Sequence, residues 1–175
     1  MKKLSLALLL FLLAAVTVHA ETIAMTTAGQ ITCTGQKSPN EVTINLTAWN
    51  WESSLSISST GAVGKTSLSS IVVNKPFDDC TSAMLQSFFN GAKVTTVLIE
   101  QSKPVGGSSA LPVAEVKLTN AYLSSYSISG TQSTQATESW TLIFDKICVT
   151  TYGITISGSS SAGATVCYAG GVPTS

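Results

Sequence analysis

The sequence contains no arginine, and its single histidine is His19. No pair of cysteines has CxxC spacing, charged residues make up only 10 % of the chain, and aromatic residues 7 %. Beyond the first twenty positions no run is long and apolar enough to span a bilayer. Each absence removes a class of function. A chain without a usable histidine cannot build a Ser-His-Asp or Cys-His site, and the ordinary zinc ligand sets are missing. Without arginine, and with few lysines, there is no basic stripe to hold a phosphate backbone, so no nucleic-acid partner is expected.

The first twenty residues have the layout of a secretory signal. Lys2 and Lys3 precede an apolar stretch from Leu4 to Val16, and Val18-His19-Ala20 ends in a small-residue cleavage site after Ala20. No cysteine follows the stretch at lipoprotein spacing, so no anchor and no membrane insertion are expected after cleavage. Removing the signal removes His19. Residues 21–175 then keep seven of the nine lysines and all nine acids, a net charge of −2. They divide into an expected main domain at 21–153 and a Gly/Ser-rich C-terminal hairpin or tail at 154–175.

Cys33, Cys80, Cys148 and Cys167 remain. An even count in an exported chain reads as disulfides, for which three pairings can be drawn, with buried free thiols as the other reading. The preferred pairing is Cys33–Cys80 with Cys148–Cys167, because the second bond would close the C-terminal segment onto the last long strand. The expected compartment is the periplasm or the exterior.

Strand signals dominate the rest. Thr22 to Cys33, Glu41 to Glu52, Ser67 to Asn74, Lys93 to Gln101, Val113 to Ser129 and Ala136 to Tyr152 read as strands, and the end reads as two short strands around a Gly/Ser turn. A single helix is expected between them, capped at its start by Asp78 or Asp79 and stopped by Asn90-Gly91. Its apolar stripe of Thr81, Met84, Leu85, Phe88 and Phe89 reads as core. The fold class is mainly β, with one short helix.

No motif marks a catalytic set. Asp78 and Asp79 are read as helix caps rather than as a glycosidase pair, which needs two carboxyls across a cleft. "GAVGK" at 61–65 lacks the spacing of a phosphate loop, and Asn45-Leu46-Thr47 is a glycosylation tripeptide of a kind that arises by chance. No cofactor, no metal and no enzymatic activity are expected.

Trp49 and Trp51 pose the sharpest question. Val42, Ile44, Leu46 and Ala48 alternate with Thr43, Asn45 and Thr47, so both tryptophans fall on the polar side of a straight strand. Either a bulge after Ala48 shifts the phase and turns them into the core, or they face a neighbouring subunit, where tryptophan is enriched.

Four segments resemble one family in the same order: "EVTINLTAWNWE", "GKTSLSSIVVNKPFDDCTSAMLQSFFNGAKVTTVLIE", "VAEVKLTNAYLSSYSISG" and "ESWTLIFDKICVTTYG". They are similar to the haemolysin-coregulated proteins (Hcp), the tube proteins of type VI secretion, over about Ile23 to Gly153. The resemblance implies a β-barrel of two packed antiparallel sheets with one short helix. It also implies a non-enzymatic homo-oligomer, most simply a hexameric ring, whose rings stack into a tube and whose pore admits small effectors. The export signal sets this chain apart from the family's cytoplasmic tube proteins. A pilin-like or adhesive surface subunit is the alternative, and Trp49 and Trp51 are the candidate oligomer contacts if they do not turn into the core.

Overall fold

Nine strands and one helix follow one another in the computed structural model, which describes residues 21–28, 31–33, 41–61, 63–104, 110–155, 159–169 and 172–174. The expected signal peptide at 1–20 lies outside the described residues. The strands are β1 (Thr22–Ala28), β2 (Glu41–Leu46), β3 (Ala48–Ile57), β4 (Val63–Pro76), β5 (Val94–Pro104), β6 (Ala110–Thr131), β7 (Thr134–Ile154), β8 (Ser160–Ala169) and β9 (Val172–Thr174). Helix α1 (Thr81–Phe89) sits between β4 and β5.

All pairings are antiparallel, in the order β2-β1-β5-β6-β7-β4-β3, with β8 on β7 and β9 on β8. The two ends of that order, β2 and β3, are neighbours in the chain, joined by Thr47 alone. The Thr47 N–H donates to the carbonyl of Asn74 in β4 at 2.8 Å. The path therefore returns to its start through the chain itself, with β2 running on into β3, and the two packed layers implied by the resemblance are two parts of one wrapped sheet. Closure of this kind leaves few exposed edges.

Wrapping needs bends, and the long strands supply them. In β6, Asn120 takes a positive φ of 51° and its side-chain amide donates to Asp145 Oδ2 at 2.9 Å. Asparagine is one of the few residues that tolerate this region. A register shift between Leu123 and Ser125 adds a second bend in the same strand.

Alternation puts Met25, Ile44, Ile71, Val97, Leu118 and Leu142 into one buried cluster, each burial worth about 1.5–3 kcal/mol. Helix α1 covers part of it. Thr81, Met84 and Ser87 are buried, and the Phe88 ring stands edge-on to Trp140 at 6.3 Å. Phe89, expected in the apolar stripe, is 77 % exposed. The buried arc centres on Met84, and Phe89 falls outside it, one position round from Phe88.

The start of the helix also differs from expectation. Cys80 occupies the cap position with no side-chain cap bond. Asp78 Oδ1 instead accepts the Cys80 N–H at 2.9 Å, and Thr81 Oγ1 accepts the Asp78 N–H at 3.2 Å. Asp79 is exposed. The expected stop holds: Gly91 takes φ 57°, and the Ala92 N–H closes the end by donating to Ser87 at 2.9 Å.

Candidate functional site

Two features lie where chemistry or recognition could occur: a buried ionic cluster beneath α1, and an apolar slot beside Trp51.

Lys75 in β4 and Glu138 in β7 are register partners, and both side chains are fully buried. Lys75 Nζ lies 2.7 Å from Glu138 Oε2 and 2.7 Å from Asp78 Oδ1. It also donates to the Pro76 carbonyl at 2.9 Å and to Thr81 Oγ1 at 3.2 Å. Glu138 accepts from Thr81 Oγ1 at 3.0 Å, from Trp140 Nε1 at 3.3 Å and, on its other oxygen, from Tyr126 Oη at 3.1 Å. Buried charges of this kind persist only when paired and fully hydrogen-bonded. Burial pushes the Tyr126 phenol above its ordinary range, and its bond to the Glu138 carboxylate pushes the same way. With every donor engaged inside the fold, the cluster ties β4, β7 and the start of α1 together and offers nothing to a substrate.

The sequence reading passed over this pair. Its signal was the alternation: Lys75 shares parity with buried Ile71 and Val73, and Glu138 with buried Trp140 and Leu142.

Asp78, Asp79 and Cys80 bring ligand atoms within 4.8 Å of one another. The Cys80 sulfur is in a disulfide and Asp78 is paired with Lys75, so the trio is no metal set. On the outer surface Tyr152 donates to Glu115 at 2.9 Å. That bond first, then burial and the charges of Glu115 and Glu100, raises the Tyr152 phenol.

The tryptophans resolve into an intermediate arrangement. The phase does shift, at Thr47 rather than after Ala48, because the chain turns there from pairing with β1 to pairing with β4. Trp49 and Trp51 then stand opposite buried Val73 and Ile71, half-buried against the core. Asn50 and Glu52 point to the other face, where with Ser70, Asn74 and Ser139 they border a polar groove of about 440 Å³. A further register shift between Trp51 and Ser53 bends β3, and Ser69 Oγ donates to the Glu52 carbonyl there.

Trp51 is not fully enclosed. With Ser53 and Leu68 it forms one wall of a slot of about 260 Å³, and Ile147, Val149, Val166 and Tyr168 form the other. The slot exists because β4 pairs with β7 only from Ile71 to Pro76, while β8 takes the same side of β7 from Lys146 onward. Before Ile71, β4 diverges from β7. The slot is almost wholly apolar, Val166 is 64 % exposed, and the Trp51 indole N–H is buried beside it without a hydrogen-bond partner.

Both cysteine pairs are disulfides: Cys33–Cys80, joining the segment after β1 to the start of α1, and Cys148–Cys167, joining β7 to β8. This is the pairing preferred from the sequence.

Comparison with protein families matches residues 25–151 to "Type VI secretion system effector, Hcp". Comparison with curated proteins returns no match. Among solved structures, a "type six secretion system protein" superposes with TM-score 0.72 at 14 % identity, over 85 % of this chain and 95 % of that one. Hcp1 from Salmonella typhimurium gives 0.63 at 16 % identity over 86 % and 95 %. A type VI secretion system effector from Yersinia pestis gives 0.61 at 16 % identity over 84 % and 98 %.

Proposed function

The chain belongs to the Hcp family of type VI secretion, and from that premise we propose that it is an exported ring subunit whose copies meet at the slot beside Trp51. The family is one of structural tube proteins and not of enzymes. The two disulfides fit an extracellular or periplasmic location, in keeping with an N-terminal export signal.

The observation that carries the reading is the slot itself. A closed ring of more than two copies needs a head-to-tail contact, with one surface of each copy received by a different surface of the next. Its central contacts are apolar and rich in aromatic side chains. The slot offers Trp51, Tyr168, Leu68 and an exposed Val166 in one concavity, and contact with a neighbour would dry all four. Hcp homologues form hexameric rings, so a hexamer is the simplest assembly for this chain, and rings stacked into a tube would leave a pore for a small protein effector. A donor-strand pilin would need a sheet that lacks a strand. The continuous path from β2 round to β3 counts against that alternative.

Val166→Asp tests the contact without disturbing the core, since this side chain is already largely exposed. Light scattering of residues 21–175 should show a ring for the parent chain and a folded monomer for the variant. A variant that assembles as the parent does would remove the slot from the interface.

A further inference from the structure

The two disulfides differ in access. Cys33 and Cys80 are 4 % and 3 % exposed, whereas Cys148 and Cys167 are only half-buried. Cys148 and Cys167 are also direct register partners, flanked by the pairs Ile147–Tyr168 and Val149–Val166. Those two pairs form one wall of the slot. Alternation therefore puts the disulfide on the back of that wall, out of reach of anything docked in front. Strand β8 has few other supports: β7 on one side, and on the other the short β9, against Cys167 to Ala169 alone.

We propose that Cys148–Cys167 is a redox gate on self-assembly. With the bond closed, Val166 and Tyr168 are fixed opposite Trp51 and Leu68, and the slot can receive a second copy of this chain. With it open, β8 frays from β7, one wall loses its fixed position, and copies stay apart. This inference rests on the reading of the slot as the ring contact.

The chemistry balances through thiol–disulfide exchange. One cysteine thiolate attacks the disulfide of an oxidant, either a dithiol oxidoreductase in its oxidised form or a small-molecule disulfide, and displaces one of its sulfurs. The second cysteine then attacks the mixed disulfide. The intramolecular bond forms, and the oxidant departs as its two thiols, carrying the two electrons and the two protons that the cysteines gave up. A chain held in a reducing compartment would stay monomeric and would acquire its contact surface only after export.

The test uses oxidised residues 21–175, folded throughout. Glutathione is added at a concentration that opens the accessible bond only. Alkylation and peptide mass mapping then verify that Cys148 and Cys167 are modified and Cys33 and Cys80 are not. The ring mass in light scattering should fall to that of the monomer while the far-ultraviolet circular dichroism loses no more than the share of β8 and β9, and glutathione disulfide should restore both. Amide exchange in 166–169 should rise about 100-fold, as expected for releasing a loop of this length. Cys148→Ser/Cys167→Ser should be a folded monomer in either redox state. If the selectively reduced protein and this variant both keep the ring mass, the gate is wrong and the ring reading stands. If the oxidised parent is itself monomeric, the ring reading fails and the gate fails with it.

Discussion

Replacing Lys75 with methionine probes the buried ionic cluster directly. Methionine keeps most of the side-chain volume but removes the positive charge. It leaves the Glu138 carboxylate buried with neutral donors only: Thr81 Oγ1 at 3.0 Å, Tyr126 Oη at 3.1 Å and Trp140 Nε1 at 3.3 Å. Breaking a buried pair in this way costs about 3–5 kcal/mol. Asp78 loses its partner too, but its side chain is 29 % exposed and can turn to water, so it adds little. Glu138→Gln is milder, because Lys75 keeps Asp78 and two further acceptors, and should cost about 1.5–3 kcal/mol. The double variant Lys75→Met/Glu138→Gln carries no buried charge and retains neutral hydrogen bonds, so it should be more stable than Lys75→Met alone. The two costs should be non-additive by about 2 kcal/mol. Urea denaturation of the oxidised protein and its three variants measures all four terms. A Lys75→Met cost below about 1 kcal/mol, or strict additivity, would refute the reasoning. Against a total stability of about 5–15 kcal/mol, the predicted loss is large enough to read without ambiguity.

Removing the buried disulfide as Cys33→Ala/Cys80→Ala opens a loop of 47 residues and should cost about 4 kcal/mol, against about 3 for the 19-residue Cys148–Cys167 loop; paired urea titrations test the order. Both raised phenols make alkaline stability fall. Folded Tyr126 and Tyr152 hold their protons above the ordinary pKa of 10.0 at which the unfolded chain ionises, so their contribution is complete below that pH and is lost as pH rises through the folded values. Tyr126→Phe and Tyr152→Phe should each flatten the alkaline limb of melting temperature against pH, and unchanged slopes would contradict the sign. Trp51→Ala should loosen the core as well as the slot, so a variant that stays folded but monomeric separates the contact from the fold.

Much of the fold can be read from alternation. Val42, Ile44 and Leu46 fall inward as their spacing demands, and the Asn90-Gly91 stop ends α1 where a left-handed residue is needed. What alternation misses are events between distant elements. The phase change at Thr47 depends on the sheet closing, since only there does the chain leave β1 for β4. A window of ten residues holds no trace of that meeting. Lys75 and Glu138 are the opposite case: their parity was in plain view, but charges in strands read as surface until the register pairs them. Phe89 shows the limit of stripe counting, because which arc of a short helix is buried is set by the sheet beneath it. The slot could not have been found from sequence, for it arises where β4 and β8 share one side of β7 and diverge.

Oxidised copies of this chain should close into a ring. Electron microscopy of purified residues 21–175, with both disulfides closed, tests it most directly. Annular particles with a central pore, most simply sixfold, should fill the field and disappear in Val166→Asp. A field of single, barrel-sized particles at high protein concentration would contradict it.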